Sequence, residues 1–369
     1  MVFLSLLLIA CNKDEAKTDR TPTCTNILDE WEITTNTYTA GIQRQNDLFF
    51  PSNDIGYSVG NAGTIMKTIN GGDAWKVLEY YYLPEVGINA HSLTKAILYT
   101  TYFVDESVGF IGGAGEISYI NNTSTGAVLL NTVDGGNQWN KRYLDNVRKI
   151  NDLIFFDKFK GLGLFTVLNS NNNSELKLFS TEDGGENWNE VILPIDKIVL
   201  YNFIAAPTNI MIVGKDGNDK GVLLVTENTG LSWDLKNFPE SGCNRLYFID
   251  DQNGFASCGV LFLPENKYQT RDGGNSWVQI ESPINISSLI HFNTVEKGFV
   301  INPVIEYIEG GGELTPQLQF YEVFQTTDGG LNWNKTKIDK ECDLMGVSYA
   351  ASKNTFYSIG NTANKFQVK

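Results

Sequence analysis

A chain of 369 residues is long enough for two or three ordinary domains, and with 42% hydrophobic and 19% charged residues it is neither disordered nor collagen-like nor a coiled coil. Its 43 acids against 28 bases leave a formal charge of −15, which excludes a non-specific nucleic-acid binder, since such a protein needs a basic footprint. Two histidines, His91 and His291, stand 200 residues apart, so no zinc site of the usual Cys/His spacing is expected, and no cofactor.

Residues 2–10 form an apolar run too short to span a bilayer as a helix, and residues 1–10 read as a signal peptide. The run ends in Leu8-Ile9-Ala10-Cys11, which resembles the lipobox of bacterial lipoproteins. The resemblance implies a lipid on Cys11 and a polar tether over residues 11–24. The run departs from that pattern in having no Lys or Arg before it. Lys13-Asp14-Glu15 resembles the export signal of surface-exposed lipoproteins. The implied address is the bacterial envelope, as an outer-membrane lipoprotein at the cell surface that meets the membrane through its lipid alone.

From residue 25 onward one octapeptide recurs. Thr68-Ile-Asn-Gly-Gly-Asp-Ala-Trp75 is followed by copies at 132–139, 181–188, 226–233, 270–277 and 326–333. Six of the seven tryptophans lie in it: Trp75, Trp139, Trp188, Trp233, Trp277 and Trp333. The pattern predicts a tight hairpin turn. The oxygen of Asn70, Asp134, Asp183, Asn228, Asp272 or Asp328 accepts from turn amides, a glycine supplies positive φ, and the Trp opens the next strand. These acids recur once per repeat, as turn-forming residues do and a unique active site does not.

Upstream of each copy an aromatic-ended strand, a short polar turn and a Gly-aromatic strand recur, as in Phe248-Ile-Asp-Asp-Gln-Asn-Gly-Phe255. Aligned on this turn there are seven units, the last of which has three strands. Trp31-Glu-Ile-Thr34 matches the missing outer strand. The expected fold is all-β: a seven-bladed β-propeller of four-stranded antiparallel blades over residues 25–369, closed by the strand around Trp31, with roughly 48 residues per blade.

Six boxes of the form Thr-x-Asp-Gly-Gly-x-x-Trp resemble the Asp-box (bacterial neuraminidase) repeats. The whole pattern is most similar to the photosystem II stability and assembly factor family. That resemblance implies a non-enzymatic scaffold that binds a protein partner. The rival reading is a glycoside hydrolase. Sialidases need three converging arginines, and Arg44, Arg148 and Arg245 fall near the starts of innermost strands. Asp47 and Asp152 occupy the position of Arg245 in the other two, which argues against the trio. Xyloglucanases with Asp boxes use two propellers, and this chain has length for one.

Cys243 and Cys258 flank a hairpin that places them opposite or nearly so, and they are candidate disulfide partners. Cys24 and Cys342 are a second candidate pair. Loop lengths select a face. From the turn glycine to the box takes 12 residues in the first unit (56 to 68), 23 in the second (109 to 132) and 28 in the sixth (298 to 326). The insertions open opposite the box turns, which are themselves nearly uniform. The candidate ligand face therefore carries Tyr80, Tyr81 and Tyr82 with Tyr307, Glu309 and Glu313 around an acidic hairpin tip, for an unknown protein or glycan.

Overall fold

The computed structural model describes residues 31–36, 44–79, 96–118, 123–195, 197–205, 209–259, 265–285, 288–310, 313–339, 344, 347–352, 355–359 and 363–368. Cys11, Cys24, Cys342 and the Tyr80, Tyr81, Tyr82 triplet lie outside these residues.

Apart from one 3-10 turn at Asn61–Gly63, the described regular structure is strand. The chain runs as up-and-down meanders of four strands. The first comprises β2 (Gln45–Phe49), β3 (Gly56–Gly60), β4 (Ile65–Thr68) and β5 (Lys76–Glu79). The second comprises β6 (Leu98–Phe103), β7 (Gly109–Ser118), β8 (Thr123–Thr132) and β9 (Asn140–Leu144). Next come β10 (Val147–Phe155), β11 (Gly161–Leu168), β12 (Ser174–Thr181) and β13 (Asn189–Glu190), then β14 (Val199–Ala205), β15 (Ile210–Lys215), β16 (Gly221–Thr226) and β17 (Asp234–Asn237). They are followed by β18 (Cys243–Phe248), β19 (Gly254–Cys258), β20 (Asn266–Thr270) and β21 (Val278–Gln279), and by β22 (Leu289–Phe292), β23 (Gly298–Gly310), β24 (Glu313–Thr326) and β25 (Asn334–Asp339).

The last sheet takes strands from both ends of the chain. β26 (Val347–Ser352), β27 (Thr355–Ile359) and β28 (Ala363–Val368) are flanked by β1 (Trp31–Asn36), which runs antiparallel to β28 with Trp31 opposite Val368. Five sheets have four strands. The second and third meanders share one eight-stranded sheet, joined through the single pair Lys149 and Ala114. The architecture is an all-β propeller of four-stranded antiparallel blades.

Burial explains the strand composition. The second strand of a blade has sheets on both sides, so β3, β15 and β19 run almost without polar relief and are buried nearly throughout. Outer strands such as β17 face water and read Asp-Leu-Lys-Asn. Core clusters straddle neighbouring blades: Val59 and Ile65 of the first pack with Leu98, Ile111 and Val128 of the second. Each blade therefore buries its apolar face against the next one, not within itself.

The two sequence repeats meet in that interface. The aromatic closing a first strand packs edge-on against the octapeptide Trp of its own blade, as in Phe103 with Trp139 at 6.3 Å and 87°. Its other side stacks on the Gly-aromatic residue of the preceding blade. Tyr57 lies on Phe103 at 3.7 Å, Phe110 on Phe155 at 3.4 Å, and Tyr357 on Phe50 at 4.1 Å. Such stacks add about 0.5–1.5 kcal/mol each beyond burial. The glycine before the aromatic has a steric cause, because a Cβ on Gly109 would stand 2.2 Å from the Phe103 ring.

Candidate functional site

The octapeptide turns share one threonine-centred hydrogen-bond pattern in all six copies. Thr132 Oγ1 donates to Asp134 Oδ1 at 2.9 Å and accepts from Gly136 N at 3.0 Å, while Asp134 Oδ1 also accepts from Gln138 N at 2.9 Å. The threonine hydroxyl bonds in the same way to Asn70, Asp183, Asn228, Asp272 and Asp328. These bonds, led by that from the Asn187 amide, hold the Asp183 carboxyl down at about 2. Both residues after the acid have positive φ, as at Gly135 (68°) and Gly136 (80°). The fourth copy departs from this pattern, since Thr229 adopts φ 59° where the others have glycine.

The turn glycines tie blades together. Tyr57 Oη donates to Gly135 O and Tyr357 Oη to Gly71 O, both at 2.9 Å, so each tyrosine holds the turn of the following blade. Lys236 and Gln269 reach Gly273 O and Gly329 O in the same manner. Trp188 and Trp333 donate their indole N–H to Gly185 O and Gly330 O. The indole nitrogens of Trp75, Trp139, Trp233 and Trp277 are buried without a protein partner. The recurring Asp or Asn of each copy is thus committed to its own turn.

A less visible arrangement lies on the innermost strands. In β2, β6, β10, β14 and β18 the register shifts near the strand start, between Gln45 and Asp47, Leu98 and Thr100, Ile150 and Asp152, Leu200 and Asn202, and Cys243 and Arg245. A bulge re-aims the residue that follows it. It turns Asp47, Thr100 and Asp152 into one cluster across three blades: Thr100 Oγ1 donates to Asp152 Oδ1 at 3.0 Å, and Thr101 N donates to Asp47 Oδ2 at 2.7 Å. Burial first, then the neighbouring Asp152 charge, pushes the Asp47 carboxyl up to about 7. Burial pushes Asp152 up to about 6. The two carboxyls thus sit with raised pKa values near the starts of the innermost strands of the first and third blades.

Arg245 takes the same position in its blade. It donates to Ser288 O at 2.6 Å, and burial lowers its pKa. Arg44 and Arg148 are exposed at their strand starts, so they do not share the half-buried setting of Arg245. Cys243 and Cys258 lie directly opposite at the same end and are joined by a disulfide.

On the other side of each blade the longest hairpin among the described residues is β23–β24, with strands of 13 and 14 residues that pair up to Gly310 opposite Glu313. Tyr307 pairs with Pro316 and Glu309 with Leu314. A separate cleft of about 310 Å³ between the second and third blades is lined by Leu144, Val147, Phe165, Phe179 and Trp188, with Asp145 and Glu186 among its polar residues. It opens beside β12, whose outer neighbour β13 is only two residues long.

No family model matches the chain, and no curated protein does. Among solved structures, the chain is similar to YCF48 bound to D1 peptide, with a TM-score of 0.60 and 15% identity over 95% of this chain and 99% of that one. It is also similar to YCF48 from Cyanidioschyzon merolae, with a TM-score of 0.59 and 13% identity over 92% and 99% of the two chains. The WD40 propeller domain of Doa1 matches at a TM-score of 0.51 and 9% identity over 91% and 96%. These likenesses bear on the fold.

Proposed function

We propose that the protein is a non-catalytic scaffold: a seven-bladed Asp-box propeller that is held at the bacterial envelope by a lipid on Cys11 and binds a protein or glycan partner. The observation that carries this reading is the likeness, over nearly the whole of both chains, to a propeller described in complex with a peptide. The count of seven is supported by the eight-stranded sheet, whose halves meet at one residue pair and read as two blades.

The ligand face in this reading is the one opposite the octapeptide turns, where β23 and β24 project and the innermost strands bulge. Rigid blades supply the frame there, and loops of unequal length supply specificity. The decisive experiment is affinity capture from the native envelope with the wild-type chain and with a variant in which residues 307–316, beyond the Glu306–Gln317 pair, are replaced by a two-residue turn. The variant should keep its melting temperature and lose partner capture. Full capture by the variant would refute the assignment of this face. Anchoring is tested by Cys11→Ser, which should abolish acylation on metabolic labelling.

A second reading, glycoside hydrolysis, draws on one observation: Asp47 and Asp152 are carboxyls with raised pKa on one wall. Turnover of a chromogenic glycan panel that is lost in Asp152→Asn would favour it.

A further inference from the structure

One strand lacks most of its outer partner. All eight residues of β12, Ser174–Thr181, pair with β11, yet β13 covers only Phe179 and Ser180. One further bond follows, from Val191 N to Leu178 O at 2.8 Å. Main-chain groups point alternately to the two sides of a strand, so those of Leu176 and Ser174 turn to the same outer edge as Leu178. Among the described residues nothing pairs with them there. Such an edge is a template for one more strand. β8 and β24 also outrun their outer partners; at β12 the overhang has a cleft beside it.

The register decides which way an added side chain faces. Phe165 stands opposite Lys177, and with Phe179 it packs towards the second blade, where both line the cleft of about 310 Å³. Leu176 and Leu178 pack the other way, towards the fourth blade. Opposed residues of neighbouring strands lie on one face, so a residue added opposite Lys177 takes the cleft side. Two acids and no base line that cleft. Glu186 meets Arg142 at 3.6 Å, whereas the exposed Asp145 has no ion pair among the described residues.

These features select the occupant. A lipid or a glycan has no amide ladder to offer Ser174 and Leu176. A second copy pairing through the same edge would set Leu176 against Leu176 and bring Glu175 opposite Lys177, an acid towards an acidic cleft. We propose that the β12 edge and its cleft form a strand-addition site on the rim of the propeller. It takes an extended protein segment with an apolar or aromatic side chain opposite Lys177 and a Lys or Arg two residues away for Asp145. The site goes beyond the partner face proposed above and makes no use of the β23–β24 hairpin.

The test uses the purified chain and a blocked peptide, Thr-Thr-Val-Phe-Val-Lys-Val-Thr-Thr, read by fluorescence anisotropy and hydrogen exchange. The peptide should bind and slow exchange over residues 174–178. Methylating one alternate set of its main-chain nitrogens should weaken binding about tenfold, and methylating the other set should be tolerated, because an added strand donates along one edge only. Serine in place of the phenylalanine should also cost about tenfold. In the protein, Leu176→Pro removes an edge N–H where proline is tolerated, and it should bind about tenfold more weakly while remaining folded by circular dichroism. Asp145→Lys should weaken binding about fivefold at 50 mM NaCl. Replacing residues 307–316 by a two-residue turn should leave peptide affinity unchanged, which separates this site from the ligand face. Equal binding of the two methylated peptides, full affinity of the serine peptide or of Asp145→Lys, or protection away from residues 174–178 would overturn the proposal. So would a dimer in sedimentation that Leu176→Pro abolishes, since the edge would then belong to a second copy.

Discussion

Replacing Thr181 with valine removes one hydroxyl while keeping the shape of the side chain. That hydroxyl donates to Asp183 Oδ1 and accepts from Gly185 N, both at 2.9 Å, and Thr181 and Gly185 are both buried. Valine therefore leaves the Gly185 amide inside the protein with no acceptor, at about 1–3 kcal/mol. Asp183 keeps its bonds from Asn187 N and Nδ2, so its share of the loss is smaller. A total of about 2–3 kcal/mol follows. With an unfolding entropy of about 2.1 cal/mol/K per residue over the roughly 290 described residues, the midpoint should fall by about 3–5 °C. Scanning calorimetry measures this shift, and urea unfolding with an unchanged slope shows that the native state is otherwise intact. Thr181→Ser, which keeps the hydroxyl, is the control and should lose clearly less. A valine variant as stable as wild type, or a serine variant as unstable as valine, would refute the role assigned to the hydroxyl.

Deleting the chain through Asn36 exposes the outer edge of β28, along with Phe366, which packs in one cluster with Ile33, so the product should aggregate or lose several kcal/mol; deleting only residues 12–22 should leave the urea midpoint unchanged. Equal stability of the two truncations would count against the pairing. Asp47 titrates near 7 when folded and near 4 when unfolded, so the folded state holds a proton that the unfolded state releases. The contribution of Asp47 should be greatest below pH 4, fall as the pH rises towards 7, and level off above it; Asp152 acts in the same direction and the lowered carboxyl of Asp183 in the opposite one. Asp47→Asn should raise the urea midpoint at pH 8 and leave it nearly unchanged at pH 4; a shift of equal size at both values would contradict the burial argument.

The blades were legible in the sequence because their turns are chemically exacting. A turn that needs a hydroxyl, an Asp or Asn two residues on and then two positive-φ positions leaves nearly the same letters each time, and a Phe–Trp edge contact repeats with it in five blades, the fourth having Ile204 in place of the phenylalanine. The inner-wall cluster was not legible as a cluster. Asp47, Thr100 and Asp152 are about fifty residues apart from one to the next, and bulges bring them together. Alignment on the hairpin turn did place Asp47 and Asp152 at the Arg245 position, but not the Thr100 bridge between the carboxylates. The two-residue outer strands β13 and β21 escaped for another reason: their tryptophans promise a full strand, and the backbone leaves the sheet soon after, on the way to Pro194 and Pro283.

The pairing of Trp31 with Val368 also sets a timetable. Ribosomes deliver β1 first and β28 last, so the strand that completes the final sheet is made before every other strand and must wait for all of them. Successive meanders can fold as they emerge, each against its predecessor, since their contacts are local. The first and last can settle only after the whole chain has been released. Until then the nascent array has two raw edges, which invite pairing with a neighbouring chain. Folding should accordingly show fast phases for the interior blades and one slow, length-dependent step, during which the chain is vulnerable to misassembly.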